Sequence, residues 1–185
     1  MRLATSLVHR LHGHVALART QFFPLCLHRC YTLSNAPTPA VSVAGSFIFK
    51  LDQDSAYKVA LFRRSASREV YAHKYAPIAG KIEPSDPSPE STAWREIHEE
   101  TNLTPSHLRL LRAGNPYSYS DSHTRRWTVY PYAFLLRHPD CQQAFELSDE
   151  HDGYAWLDPA LVLSNEELEV VPKLRESLAR VWPFT

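Results

Sequence analysis

Residues 80–103 read Gly80-Lys-Ile-Glu-Pro-Ser-Asp-Pro-Ser-Pro-Glu-Ser-Thr-Ala-Trp-Arg-Glu-Ile-His-Glu-Glu-Thr-Asn-Leu103. The pattern predicts a helix over 89–101. Ser88 suits its N-cap, Pro89 its first position, and Asn102 the left-handed residue that ends it. At about 100° per residue, Ala93, Trp94, Ile97 and Thr101 share one arc, which can face a sheet. Glu96, Glu99 and Glu100 share the neighbouring arc at i, i+3 and i+4, so their carboxylates are expected to converge. Each like-charge pair at that spacing costs a helix about 0.2–0.5 kcal/mol. The one attractive pair, Arg95 with Glu99, runs cation first, the weaker order. A solvated acidic face is the plain reading of such a cluster. A divalent cation would reverse the repulsion: Mg²⁺ takes carboxylate and water oxygens and completes its shell with substrate phosphate.

Outward from this helix, strands dominate. Val41 to Lys50 is predicted as a strand ending in the apolar run Phe47-Ile48-Phe49, and 57–63 as a second strand across a hairpin connection at 52–56. Residues 75–83 are expected to be extended and 84–89 a loop. Leu108–Leu111, Trp127–Leu136 and Gly153–Leu157 supply further strands. In 127–136, Tyr130, Tyr132 and Phe134 alternate against Trp127, Val129, Ala133 and Leu135. Pro131 within it predicts a bulge or an edge position. Val170, Leu174, Leu178 and Val181 fit a terminal amphipathic helix. Strands mixed with two well-separated helices predict an α/β sandwich around one mixed sheet.

The 80–103 segment resembles the Nudix signature: Gly, five residues, Glu, seven residues, Arg-Glu, an aliphatic, any residue, Glu-Glu, any residue, Gly, an aliphatic. Gly80, Arg95, Glu96, Ile97, Glu99, Glu100 and Leu103 match in order. Asp86 stands where the first Glu belongs, with eight residues rather than seven between it and Arg95. Asn102 replaces the last Gly. Ala79 stands where many members carry a second Gly, and it still offers a carbonyl if its backbone angles are ordinary. The resemblance implies an α/β/α sandwich across about 40–182. It also implies an enzyme that hydrolyses a nucleoside diphosphate linked to another group, with Mg²⁺ or Mn²⁺ holding the bridging phosphates. By that analogy Glu96, Glu99 and Glu100 ligate metal, one of them activates water, and Arg95 orients a glutamate. Gly80 and Ala79 let the backbone approach the site. Glu150 is the best candidate for an added carboxylate, with Asp149 and Asp152 as competitors. The segment is also similar to the Nudix region that precedes a sugar-phosphate-isomerase-like domain in some fungal proteins.

Composition bounds the rest. The chain has 185 residues, 44% of them hydrophobic, enough for one domain and a tail. Net charge is zero, so no global basic field argues for nucleic acid or an anionic membrane. The balance is uneven. Residues 1–51 hold five basic residues and no acid, whereas the remainder holds 15 basic and 20 acidic. An Arg-bearing, acid-free start with Leu3, Leu7, Leu11 and Val15 at helical spacing reads as a mitochondrial transit peptide. The mature protein is expected to start near Thr32, with a disordered basic extension of a cytoplasmic protein as the alternative. Residues 1–37 are therefore set apart from a domain at 38–185. No apolar run reaches the ~18 residues that span a bilayer. Cys26, Cys30 and Cys141 offer no disulfide framework. Tyr117, Tyr119, Trp127, Tyr130 and Tyr132 could stack on a base, but strand aromatics are more often core. Lys74, Lys81, Arg125 and Arg126 could meet phosphate. His73, His98 and His123 lack a partner pattern. The expected partner is a small nucleotide or diphosphate, bound by a monomer or homodimer. The competing classes are a nucleotide-binding or regulatory module with little turnover, and the remnant of a larger fusion.

Overall fold

A computed structural model describes residues 40–121 and 125–184. The expected transit segment at 1–37 and His123 lie outside the described residues. Two long strands make the centre. β1 (Ala40–Leu51) and β7 (Arg126–Leu136) run parallel, from Ala40 opposite Arg126 to Phe49 opposite Leu135. Each is apolar on both faces over its buried stretch, which suits a strand covered on both sides.

Each central strand shares its outer edge between two partners. β1 pairs with β2 (Tyr57–Arg64) through Ile48–Leu51 and with β4 (Ile78–Lys81) through Val43–Ser46. β3 (Tyr75–Ala76) continues along β2. β7 pairs with β5 (Leu108–Ala113) near its end and with β6 (Tyr117–Ser120) near its start. β8 (His151–Leu157) lines the far edge of β2. The result is one mixed, eight-stranded sheet.

Alternation along the strands sends two sets of side chains to opposite faces. Ala44, Ile48, Ala60, Phe62, Ile78, Tyr132 and Phe134 pack with Ala93 and Ile97 of α1 (Pro89–Thr101). Trp94 meets the Phe134 ring edge-on at 4.7 Å. Phe47, Phe49, Val59, Leu61, Ala133 and Leu135 pack with Val162 of α2 (Pro159–Ser164) and with Leu174, Leu178 and Val181 of α3 (Leu174–Val181). This is the expected α/β/α sandwich.

Three local expectations differ. Pro131 sits mid-strand in the central β7, neither at an edge nor in a bulge of its own strand. Its carbonyl accepts from Gly114 N at 2.8 Å, where the neighbouring edge passes from β5 to β6, so the missing N–H falls at a break in the ladder. The register shift lies in β5, between Leu110 and Arg112. Val170 is not helical; it bridges to Tyr75, and α3 starts four residues later. β6, α2 and a 3₁₀ turn at Pro139–Ala144 add to the expected elements. Each is short, of four to six residues, too brief to show a period in the sequence.

Candidate active site

α1 begins and ends as its sequence directs. Ser88 Oγ accepts from Ser91 N at 3.1 Å, Pro89 occupies the first position, and Asn102 closes the helix in the left-handed region at φ 57°. The helix follows β4 after a short loop, so its polar arc meets the β4 backbone at Gly80.

That meeting explains the glycine. A Cβ built on Gly80 would lie 1.8 Å from Glu96 Cδ and 1.9 Å from Glu96 Oε1. The Glu96 carboxylate therefore fills the space a side chain at 80 would need. No left-handed conformation is involved, since no glycine among the described residues has positive φ. Ala79 also has ordinary backbone angles, and its backbone lies near enough to Glu100 to favour the charged carboxylate slightly.

Arg95 organises the near side of the site. Its Nε and Nη2 hold the two oxygens of Asp86 at 3.1 and 3.0 Å. Nη2 also donates to Lys81 O at 3.1 Å, while Nη1 donates to Glu96 Oε1 at 2.6 Å and Glu99 Oε2 at 3.0 Å. Asp86 thus serves as the anchor of Arg95, and the extra loop residue is absorbed ahead of the helix. The arginine, joined by Glu83 N and Thr92 Oγ1, holds the Asp86 carboxyl well below the usual range.

Glu100 has a separate environment. Its side chain turns inward and accepts from His151 Nε2 at 2.5 Å. Both side chains are almost wholly enclosed, at 6% and 2% exposure. His151 Nδ1 is buried with no partner. Burial raises the Glu100 carboxyl above its usual range, against the opposing pull of His151. Glu96 is also raised, first by burial and then by Glu100 and Glu99, while Arg95 opposes.

The structure therefore joins Glu96 and Glu99 at one nitrogen and holds Glu100 apart on His151. The three do not converge on a single point as expected from helix geometry alone. Among the described residues no three acidic, histidine or cysteine side chains stand ready to grip a cation. The donor set nevertheless fits one. Glu96 and Glu99 offer hard oxygens 2.6 and 3.0 Å from a shared position now taken by a guanidinium nitrogen. Both are hard carboxylate oxygens of the kind Mg²⁺ takes, so Glu96 and Glu99 would hold such an ion beside Arg95.

The loop ahead of β8 is stitched to the end of α1. Glu146 N donates to Thr101 O and Ser148 N to Glu100 O, each at 3.1 Å, satisfying carbonyls that the helix leaves open. Glu150 follows, paired with Arg68 at 3.1 Å and near enough to Glu100 to raise its pKa. Asp152 instead pairs with Arg63 at 3.5 Å, and Asp149 is exposed. Of the three carboxylates, Glu150 is the one placed beside the site. His151 is the residue that sequence reasoning missed; its only signal was a histidine opening an apolar strand directly after an acidic loop.

The aromatic candidates divide. Tyr130 and Tyr132 belong to the core on the α1 side. Tyr117 is tied to Ser177 Oγ at 2.6 Å, with Tyr119 stacked on it. Trp127 donates to Asp121 at 2.9 Å under Arg125. His98 is exposed, and Cys141 is a free thiol packed beside the core.

Comparison with known proteins follows the same lines. The family model described as "NUDIX domain" matches residues 42–181. Among solved structures, an Ap4A hydrolase binary complex from C. elegans aligns at 20% identity and TM-score 0.60, covering 76% of this chain and 93% of that one. The MutT protein from Methanosarcina mazei Go1 aligns at 19% identity and TM-score 0.60, covering 77% and 93%. The NUDIX domain of Shewanella oneidensis NrtR, solved with ADP ribose, aligns at 19% identity and TM-score 0.58, covering 80% and 89%. A comparison with curated proteins gave no match.

Proposed function

Because the chain belongs to the Nudix hydrolase family, we propose that it hydrolyses the diphosphate linkage of a nucleoside diphosphate joined to another group. The proposal includes dependence on Mg²⁺ or Mn²⁺. The observation that carries it is the pairing of Glu96 and Glu99 on one position, backed by the Gly80 backbone. Glu96, Glu99 and Glu100 would hold the ion, with Glu150 as an added carboxylate. A bound divalent ion would neutralise phosphoryl oxygens and ease deprotonation of the attacking water.

The chain's own residues do the positioning. Arg95, anchored by Asp86 and Lys81 O, sets the direction of Glu96 and Glu99. His151 fixes Glu100. One of the three glutamates would take the proton of the attacking water.

The test is product release from a panel with Mg²⁺ or Mn²⁺: ADP-ribose, NADH, CoA, dinucleoside polyphosphates, sugar nucleotides, thiamine diphosphate and nucleoside triphosphates. Metal-dependent turnover that collapses in Glu96→Gln and Glu99→Gln is expected. Turnover retained in both variants would overturn the assignment. A binding module with little turnover is the second reading, favoured by Arg95 already neutralising Glu96 and Glu99. Under it, nucleotides stabilise the folded protein equally in wild type and Glu99→Gln, and nothing is hydrolysed. The proposed compartment is the mitochondrion; a fluorescent fusion of residues 1–37 that stayed in the cytosol would remove it.

A further inference from the structure

Beyond the carboxylates, one pair of like charges has no full explanation within the described residues. Arg64 ends β2, and Arg68 lies four residues on, in the loop toward β3. With Ser67, Glu69 and Val70 they line a cleft of about 300 Å³. Arg64 is half-buried and donates its Nε to Val70 O at 3.2 Å. Its terminal amino groups have no hydrogen-bond partner among the described residues. Burial and Arg68 both weigh against its charge, with Glu150 and Glu100 offsetting part. The guanidinium nevertheless stays protonated. Ser65 N, next to Arg64, donates to Glu150 O at 2.8 Å, and Ser148 N of the same loop donates to Glu100 O, so the cleft adjoins the loop stitched to the end of the glutamate helix. Arg68 is held to Glu150 by a pair whose side chains are 41% and 34% exposed, weak enough to exchange for a better anion.

We propose that this cleft is a phosphate subsite in which Arg64 and Arg68 grip the substrate phosphate farthest from the bond that breaks. The inference rests on the hydrolase reading and narrows it. The carboxylates and their cation serve the scissile diphosphate, so two further guanidiniums call for at least one further phosphate. The substrate class is then a nucleoside or dinucleoside with three or more phosphates in a row. The planar fork of arginine matches phosphate oxygens two at a time. An arriving phosphate also takes Arg68 from Glu150 and releases that carboxylate toward Glu100.

Calorimetry of the full chain with tripolyphosphate, in excess chelator, reads the subsite without metal or turnover. Wild type should bind at one site. Arg64→Gln and Arg68→Gln should each weaken binding at least tenfold while melting near wild type. Arg63→Gln, whose partner is Asp152, should change nothing. Equal binding by all four proteins, none by wild type, or orthophosphate binding as tightly as tripolyphosphate would overturn the subsite. If Arg64→Gln does not fold, Arg68→Gln alone decides. In turnover, both variants should raise KM for a nucleoside triphosphate and spare ADP-ribose; equal loss on both would overturn the distal placement. Absence of all hydrolysis would sink the hydrolase reading, while tripolyphosphate binding would still decide the subsite.

Discussion

Replacing Gly80 by alanine should separate the position of Glu96 from the stability of the fold. The new methyl would start 1.8 Å from Glu96 Cδ. An ordinary carbon contact is about 3.5 Å, so the carboxylate has to retreat by about 1.7 Å. The obstacle is the end of a flexible side chain, and the glycine has no left-handed φ, so the backbone can accept alanine. Retreat breaks the 2.6 Å bond from Arg95, worth about 1.5–3 kcal/mol. Restricting the unfolded chain returns about 0.4–1 kcal/mol. The net loss is about 0.5–2.6 kcal/mol, or a melting temperature lower by about 1–10 °C. A misplacement beyond 1 Å at a reacting group costs about 100-fold in rate. Thermal melting, Mn²⁺-induced stabilisation and kcat/KM on the best substrate give the three readings. A folded variant with a rate down about 100-fold and weaker Mn²⁺ stabilisation is expected. Wild-type turnover would show that Glu96 is not needed where it stands, and an unfolded variant would show that the backbone is.

Other predictions follow from the same contacts. Asp86 has a depressed carboxyl, so its contribution to stability is present above the ordinary Asp pKa of about 3.9 and is lost as pH falls through the lower folded value. Acid titration of Asp86→Asn should lack that component, and an identical profile would refute it. His151→Ala leaves Glu100 buried without its strongest donor and should cost about 3 kcal/mol or more by chemical denaturation, with His151→Gln recovering part; a loss below about 1 kcal/mol would contradict the pairing. Ser88→Ala removes the N-cap and should cost about 1 kcal/mol in the same assay, leaving metal-induced stabilisation unchanged.

Much of this was legible because it is local. The cap, the first-turn proline and the left-handed Asn102 fix α1 from neighbouring residues alone, and the period-2 alternation of 127–136 separates the two faces of the sheet. The site was legible only as far as helix geometry reaches. Spacing puts Glu96, Glu99 and Glu100 on adjoining arcs, but burial splits them. Glu100 sits on the inner margin of its arc, where a strand 51 residues later supplies His151. The role of Asp86 was hidden for a similar reason: its partner is set by how the proline-rich loop folds back on Arg95, not by residue count. Pro131 misled because the break in its neighbouring edge is made by β5 and β6, two elements whose junction carries no signal in β7 itself.

The parallel pairing of β1 with β7 also sets the order in which the protein can be made. Ala40 leaves the ribosome roughly 86 residues ahead of its partner Arg126. At about 5–20 residues per second, β1 waits about 4–17 s for its partner. For that interval Phe47, Ile48 and Phe49 have a hairpin on one edge and no neighbour on the other. The strand that ends as the most protected in the molecule begins as its stickiest, and the newborn chain needs shelter there until β7 arrives.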